Sequence, residues 1–253
     1  MGTLWKRVAG ILSPYNAGYS PDNSLWRDCP LMEFQHDPAS GFVWRNDFNT
    51  FTTAYDGLSA TLTNTGAAAV VASTHGGVLK IECSDGTVAD NDEAYVGSTT
   101  ALIVPSAGRK IWFEASCYFT EANTDDANII IGLSSTYAAN AILDDGGGPP
   151  ADYYGACFFK VDGGTTWSVE CSNSTSQTTN AAIATRTSGA TPIRYGVMIE
   201  GTDRATFYIN STPVSTIESN LPTAAMGLLF GVKNGYTNEE SLYVDWFQLA
   251  MMR

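Results

Sequence analysis

The run LYVDWFQLAM at residues 242–251 decides the fold, because large apolar side chains alternate onto both of its faces. In an extended chain, successive side chains point to opposite sides. The apolar residues then form two sets, Leu242, Val244, Trp246 and Ala250 on one side and Tyr243, Phe247, Leu249 and Met251 on the other. A strand that is apolar on both faces is typical of the middle of a covered sheet. We therefore expect this last strand to lie inside a sheet of a closed two-sheet sandwich.

The same two-residue alternation recurs through most of the chain after residue 46. Turn residues such as Gly201-Thr202-Asp203 separate the alternating runs. Strands are predicted at 48–53, 79–83, 94–104, 110–119, 127–133, 154–162, 166–171, 181–185, 193–200, 205–210, 214–217, 226–232 and 242–251. Many short strands with turns at this interval indicate an all-β fold, an antiparallel sandwich or jelly roll.

Residues 1–45 differ from the rest and are predicted to form an N-terminal arm in front of a sandwich domain at 46–253. Residues 1–12 have helical spacing of apolar side chains, and residues 13–50 hold four of the ten prolines, which exclude long helices and central strands. Residues 13–50 are also rich in aromatic side chains, which is untypical of a disordered linker. We expect the arm to lie on its own sandwich or on a neighbouring subunit. Its candidate contact residues are Leu4, Trp5, Tyr15, Tyr19, Trp26, Phe34 and Trp44.

The net charge argues against nucleic-acid binding, and the apolar pattern at the start of the sequence argues against membrane insertion. The net charge is −13, and no stripe of Lys and Arg exists to neutralise phosphates, so we expect no nucleic-acid binding. The apolar set within residues 1–12 is short and is interrupted by Lys6-Arg7. We therefore expect neither a signal peptide nor a membrane span.

The five cysteines are widely spaced, and their odd number argues against a framework of disulfides. Buried free thiols are the expected state of these side chains. Cys157 and Cys171 flank a tight turn, however, and one disulfide across that hairpin remains open.

Four segments near the end of the chain carry a resemblance. They are Arg194-Tyr195-Gly196-Val197, residues 205–214, residues 227–234, and Leu242-Tyr243-Val244-Asp245-Trp246-Phe247. Their order and spacing resemble the concanavalin A-like lectin and glucanase jelly rolls, including laminin G-type domains, over residues 46–253. Ser211 stands where those domains usually have a turn glycine. The resemblance implies a concanavalin A-like antiparallel β-sandwich.

The head of the chain carries a second resemblance. The segments at 13–21 (SPYNAGYSP) and 44–48 (WRNDF), followed by a sandwich, are similar to bacteriophage virion proteins that carry a jelly roll behind an N-terminal arm. The similarity lies in the order of an arm followed by a sandwich and not in a specific motif. It implies a capsid decoration (cement) protein.

Catalytic residues are not evident in the sequence. The glucanases of the resembled family use carboxylates at alternate positions of one strand, spaced Glu-x-Asp-x-x-Glu, and no predicted strand has that pattern. Glu114 and Glu200 have no second carboxylate on their predicted strands. The sequence has no G-x-S-x-G nucleophile elbow that could work with His36 or His75. We therefore expect no enzymatic activity, with a divergent glycosidase as the least favoured alternative.

With catalysis not expected, the binding of a sugar or of a metal ion is the activity left to consider. Loop tyrosines that could stack on a sugar are Tyr137, Tyr153, Tyr154 and Tyr236. No metal site or other cofactor is predicted, although Ca²⁺ would find oxygen ligands in three acidic stretches. These stretches are Asp85, Asp90, Asp92 and Glu93; Glu121, Asp125 and Asp126; and Asp144, Asp145 and Asp152.

The first hypothesis is a structural virion protein that decorates or cements a phage capsid through its arm and sandwich surface. Its partners would be the major capsid protein and neighbouring copies of itself, as a homo-oligomer on the particle. Its location would be the capsid surface, after synthesis in the host cytoplasm. The alternative hypothesis is a lectin-like, carbohydrate-binding module for host adhesion, with a glycan as its partner.

Overall fold

The computed structural model describes residues 25–52, 56–71, 76–84, 87–123 and 125–253. These residues form one helix, α1 (Leu31–His36), and fifteen strands that occupy most of the remaining sequence. The strands are β1 (Gly41–Asn46), β2 (Leu58–Leu62), β3 (Ala67–Val71), β4 (Val78–Glu82), β5 (Glu93–Ser98), β6 (Lys110–Glu121), β7 (Ala127–Ser134), β8 (Tyr153–Lys160), β9 (Thr166–Ser174), β10 (Ser176–Thr185), β11 (Gly189–Glu200), β12 (Arg204–Ile209), β13 (Thr212–Ile217), β14 (Gly227–Asn234) and β15 (Glu240–Met252).

The strands form two antiparallel sheets. The eight-stranded sheet has the order β13-β12-β11-β6-β15-β4-β3, with β1 also paired to β15. The seven-stranded sheet has the order β10-β9-β8-β7-β14-β5-β2. The antiparallel sandwich that the alternation predicts is confirmed.

Strand β15 lies inside the eight-stranded sheet, as its apolar pattern predicts. It pairs with β6 along one side, and along the other side it pairs first with β4 and then with β1. The register against β6 shifts between Val244 and Trp246, so Asp245 has no residue opposite it. One extra residue in one strand is a β-bulge.

This bulge corrects the predicted faces of residues 242–251. Leu242 and Val244 face the core before the bulge, and Phe247 and Leu249 face the core after it. A single uninterrupted alternation placed these two pairs on opposite sides, which is wrong, because one inserted residue reverses the side to which later residues point. Trp246 therefore lies on the outer face of the sheet.

The inner faces of the sheets bury an apolar core that is rich in aromatic rings. Phe230 of β14 lies between Phe113 of β6 and Phe247 of β15, with ring centroids 6.2 Å and 6.0 Å away. Trp167 of β9 stacks on Tyr195 of β11 at 4.7 Å. Each of these contacts joins one sheet to the other, and burial of each large side chain stabilises the fold by about 1.5–3 kcal/mol.

Residues 25–40 lie over one end of the outer face of the eight-stranded sheet. Leu25 is fully buried above Gly196, where a Cβ atom would come within 2.5 Å of Leu25 Cδ2. Phe34 of α1 packs on Trp112 of β6, with ring centroids 6.2 Å apart. This part of the predicted arm therefore packs on its own sandwich, while Leu4, Trp5, Tyr15, Tyr19 and the helix expected at 1–12 lie outside the described residues.

Several predicted boundaries differ from the structure. β1 (Gly41–Asn46) belongs to the sheet, although the sequence assigned most of it to the arm. Residues 48–52 are not a strand, and β2 and β3 were not predicted. The β3 sequence AAAVV has no alternation of polarity, and β2 alternates only the small residues Ser, Ala and Thr between two leucines. Both are edge strands, so pairing with β5 and with β4 decides their structure instead.

The cysteine pairing that the sequence left open does not form. All five cysteines are free thiols. In the register of β8 and β9, Cys171 lies opposite Ala156, and Cys157 lies opposite Glu170. Cys171 therefore faces the core while Cys157 faces the outer side of the sheet, and side chains on opposite faces cannot be bridged.

Replacement of Phe34 by alanine tests whether residues 25–40 stabilise the isolated protein. Phe34 is 5% exposed, and its loss would leave a cavity against Trp112. We expect the free energy of unfolding in urea to fall by about 3 kcal/mol for Phe34→Ala. Met32 on the same helix is 43% exposed, so Met32→Ala is the matched control and should change it by less than about 0.5 kcal/mol. Equal effects of the two changes would contradict this packing.

Candidate functional site

The outer face of the seven-stranded sheet is covered by the connection from β7 to β8, residues 135–152. Ala141 and Ile142 of this connection are buried against Tyr95 and Leu229 of the sheet. Tyr137 lies over Gly97, where a Cβ atom would come within 2.6 Å of it. The connection therefore fills a face on which a ligand could otherwise lie.

Buried charges hold this connection in place. Lys233 of β14 is 1% exposed, and its Nζ lies 3.3 Å from Glu93 Oε2 and 2.9 Å from Asn140 Oδ1. The same ammonium also pairs with Asp144, and the Asn140 N–H donates to Glu93 at 3.0 Å. Removal of the connection would leave Lys233 and Glu93 paired with each other but without Asn140 and Asp144, which satisfy the rest of the buried ion pair.

The outer face of the eight-stranded sheet is different, because residues 25–40 cover only one end of it. At the boundary, Trp26 Nε1 donates to Glu114 Oε2 at 2.7 Å, and the Arg194 guanidinium lies 3.9 Å from the same carboxylate. Burial raises the pKa of Glu114, and the hydrogen bond from Trp26 opposes that rise. Glu114 is 3% exposed, so it belongs to the covered end of the face.

Beyond this boundary, a pair of tyrosines stands partly exposed on the outer face. Tyr118 of β6 and Tyr243 of β15 are directly opposite in the register. Their rings are parallel within 5°, with centroids 4.4 Å apart. Each ring packs one face on its partner, and both side chains remain partly exposed. We call this pair, with its neighbours Ser116, Asp245 and Trp246, the tyrosine surface.

Polar groups border the tyrosine surface. Ser116 Oγ donates to Asp245 Oδ2 at 3.2 Å, and Trp246 is opposite Ser116 in the register. Burial raises the pKa of Asp245, the hydrogen bond from Ser116 lowers it, and the nearby charge of Asp47 raises it. Lys80 on β4 pairs with Glu82 and lies 3.4 Å from Glu239. Ser116 is itself 4% exposed, so the polar groups next to the aromatic rings that a ligand could reach are the carboxylate of Asp245 and the ammonium of Lys80.

The four tyrosines predicted from sequence do not come together. Tyr153 is 2% exposed and donates to Glu170 at 2.9 Å beneath residues 135–152. Tyr154 packs against the main core, and Tyr137 packs on the outer face of the seven-stranded sheet in the same apolar cluster as Tyr153. Tyr236 is 59% exposed and follows the last residue of β14, whereas Tyr137 lies near the first residue of that strand, Gly227. Sequence reasoning also missed Tyr118 and Tyr243, because only the register shows that they meet.

The described arm candidates contact their own chain. Trp26 bonds to Glu114, Phe34 lies on Trp112, and Trp44 of β1 packs edge-on against Phe247 at 5.3 Å. Contacts of the arm with another molecule stay a prediction.

The acidic stretches considered for calcium do not form a metal centre in the described part of the chain, where no three His, Cys, Asp or Glu side chains converge as such a site requires. Asp85 lies outside that part. Asp92 instead accepts a hydrogen bond from the backbone N–H of Ala89 at 2.7 Å, and Glu93 pairs with Lys233.

A buried titratable carboxyl group does occur at one end of the core. Glu240 of β15 lies directly opposite Glu121 of β6, and Lys160 Nζ reaches Glu121 Oε1 at 3.1 Å. Glu240 is fully buried, and neither of its carboxylate oxygens has a well-formed hydrogen bond. Burial is the largest cause that raises the pKa of Glu240 to about 8, and the charges of Glu121 and Asp126 add to it. Glu240 therefore retains a proton at neutral pH.

Comparison with known proteins identifies the fold. No protein-family model and no curated protein matches the chain. Among solved structures, the carbohydrate recognition domain of Emp47p is similar, with 12% identity, 84% of this chain and 97% of that chain covered, and a TM-score of 0.56. The endo-1,3-β-glucanase of Streptomyces sioyaensis matches with 13% identity, 85% and 98% coverage, and a TM-score of 0.55.

A third similar structure is the endo-β-1,3-glucanase of Pyrococcus furiosus, with 10% identity, 83% of this chain and 94% of that chain covered, and a TM-score of 0.56. The fold is a concanavalin A-like jelly roll. Because the identities are low, this concanavalin A-like similarity establishes architecture alone. None of these three similar structures is a phage virion protein, and capsid decoration stays a prediction.

The proton on Glu240 predicts a pH dependence of stability. The carboxyl is protonated in the folded state up to a pKa of about 8, whereas in the unfolded chain it ionises near its ordinary value of 4.5. The folded state therefore binds more protons between these values, and this group makes stability fall as pH rises, by at most ~1.4 kcal/mol per pH unit. In Glu240→Gln that fall is absent, so we expect the variant to gain stability relative to wild type between pH 5 and pH 8 in urea unfolding.

Glu239→Gln is the matched control, because the neighbouring Glu239 side chain is 44% exposed. Its stability should follow the wild-type pH curve. A Glu240→Gln curve parallel to wild type would show that Glu240 is ionised in the folded protein.

Proposed function

We propose that this protein is a carbohydrate-binding module and that the tyrosine surface is where the glycan binds. The observation that carries the proposal is the parallel pair Tyr118 and Tyr243, partly exposed next to Ser116 and Asp245. The apolar face of a sugar ring packs on an aromatic face, and the hydroxyls around that ring need acceptors and donors at its rim. The lectin and glucanase neighbours share the architecture and support the ligand class.

The location also favours this surface over the opposite sheet. Residues 135–152 and the buried Lys233–Glu93 pair occupy the outer face of the seven-stranded sheet. The tyrosine surface has no such cover among the described residues. The strands β11, β6, β15 and β4 lie side by side in the sheet that carries it.

A glycosidase is less well supported. The outward-facing residues of β8 are Tyr153, Gly155, Cys157 and Phe159, which carry no carboxylate. Glu170 on β9 is 7% exposed and accepts hydrogen bonds from Tyr153 and Thr179. Hydrolysis of a glycoside requires two carboxylates that flank an accessible bond. Binding without hydrolysis is therefore the proposal.

A glycan array with the full chain, followed by titration calorimetry on the best ligand, tests the function. We expect binding to at least one neutral glycan, and a loss of at least about tenfold in affinity for Tyr243→Ala and for Tyr118→Ala, as for aromatic residues at the centre of a binding site. Tyr236→Ala is the matched control, since Tyr236 is an exposed tyrosine remote from the pair. Absence of binding across the array, or equal affinity of Tyr243→Ala and Tyr236→Ala, would refute the proposal.

A further inference from the structure

The connection between β10 and β11, together with the last residue of β10 and the first residues of β11, lines a groove of about 290 Å³ on the surface of the sandwich. Its lining combines one cation with many hydroxyls. The side chains are those of Arg186, Thr185, Thr187, Ser188, Thr191 and Ile193. A volume near 300 Å³ is at the lower end for ligand pockets, which suits one sugar unit rather than an oligosaccharide.

Arg186 is only partly satisfied by the protein. Its Nη1 donates to the Thr185 carbonyl at 3.2 Å, but its Nε is shielded from solvent and has no hydrogen-bond partner. Lys80, Lys110, Lys160, Arg194, Arg204 and Lys233 all form ion pairs, whereas Arg186 forms none with the described residues. A buried N–H donor without an acceptor is unfavourable by about 1–3 kcal/mol, more when it is charged. The shielded Nε cannot reach a ligand in the groove, but the Arg186 side chain as a whole is partly exposed, lines the groove and has no carboxylate partner among the described residues.

The chemistry of the lining narrows the class of ligand. A guanidinium presents a planar fork of donors that matches a carboxylate. One cation neutralises one negative charge, and the net charge of −13 disfavours ligands that carry many. Hydroxyls both donate and accept, so Thr185, Thr187, Ser188 and Thr191 complement a ligand that is itself rich in hydroxyls.

We infer that this groove binds a uronic acid, a sugar with a single carboxylate, and that Arg186 binds the carboxylate. The groove shares no side chain with the tyrosine surface, although its residues Gly189 and Ile193 belong to β11 and pair with Phe119 and Cys117 of β6, on either side of Tyr118. It therefore does not depend on the proposed function, and either one can fail alone.

Nuclear magnetic resonance of the full-length protein tests this site, with sodium glucuronate, glucose and sodium acetate as separate ligands. The readouts are the Nε–H signal of Arg186 and the amide signals of residues 185–191. We expect glucuronate to saturate these shifts with a dissociation constant on the order of 1 mM or below, and glucose and acetate to bind at least about tenfold more weakly. Arg186→Gln should weaken glucuronate binding by about tenfold or more, because the charge-assisted hydrogen bonds are lost.

Arg109→Gln is the matched control, since Arg109 is exposed and has no ion pair with the described residues. It should bind glucuronate as wild type does, and the amide spectra of both variants outside the groove should match wild type. Arg186→Lys keeps the charge but lacks the fork, so intermediate affinity is expected. The inference is overturned if glucose binds as well as glucuronate, if acetate does, if Arg186→Gln binds like Arg109→Gln, or if glucuronate shifts nothing.

Discussion

The bulge at Asp245 is the constraint on which the fold and the candidate site both depend. β15 must direct Leu242 and Val244 into the core and, three residues later, Phe247 and Leu249 as well. Regular alternation cannot do this, so one residue is left without an opposite partner. The same extra residue brings Tyr243, Asp245 and Trp246 to the outer side within a span of four residues. The requirement of the core thus produces the cluster of polar and aromatic groups outside it.

The two outer faces of the sandwich differ in how they are covered, and buried charge explains the difference. Lys233 and Glu93 are both nearly inaccessible, and each needs the other together with Asn140 of the covering connection. That interdependence fixes residues 135–152 on the seven-stranded sheet. On the eight-stranded sheet, the Trp26–Glu114 hydrogen bond fixes residues 25–40 over one end only. The area beyond Glu114 is where two tyrosine rings can meet a ligand.

The sequence predicted the architecture far better than the site. The alternating runs at 110–119 and 193–200 correspond to β6 and β11, because large apolar and polar residues alternate there with strong contrast. Periodicity alone could not reveal the bulge, which depends on the demands of both flanking strands. Tyr118 and Tyr243 are far apart in the chain, and only their shared register makes them a pair. Tyr153 stands in a polar loop context in the sequence, yet its neighbours fold over it.

Arg186 differs from the other buried or half-buried cationic side chains of the described residues, because it has no carboxylate partner. Lys160 and Lys233 are buried, and each has a carboxylate within 3.3 Å. Lys80 and Lys110 are partly exposed, and they too are paired. In a chain with twice as many acidic as basic residues, a partner carboxylate is easily supplied, so its absence at the partly exposed Arg186 is not explained by composition. A guanidinium without a carboxylate partner in a groove of hydroxyls is better explained by an anion that arrives from outside, because its planar set of donors matches a carboxylate.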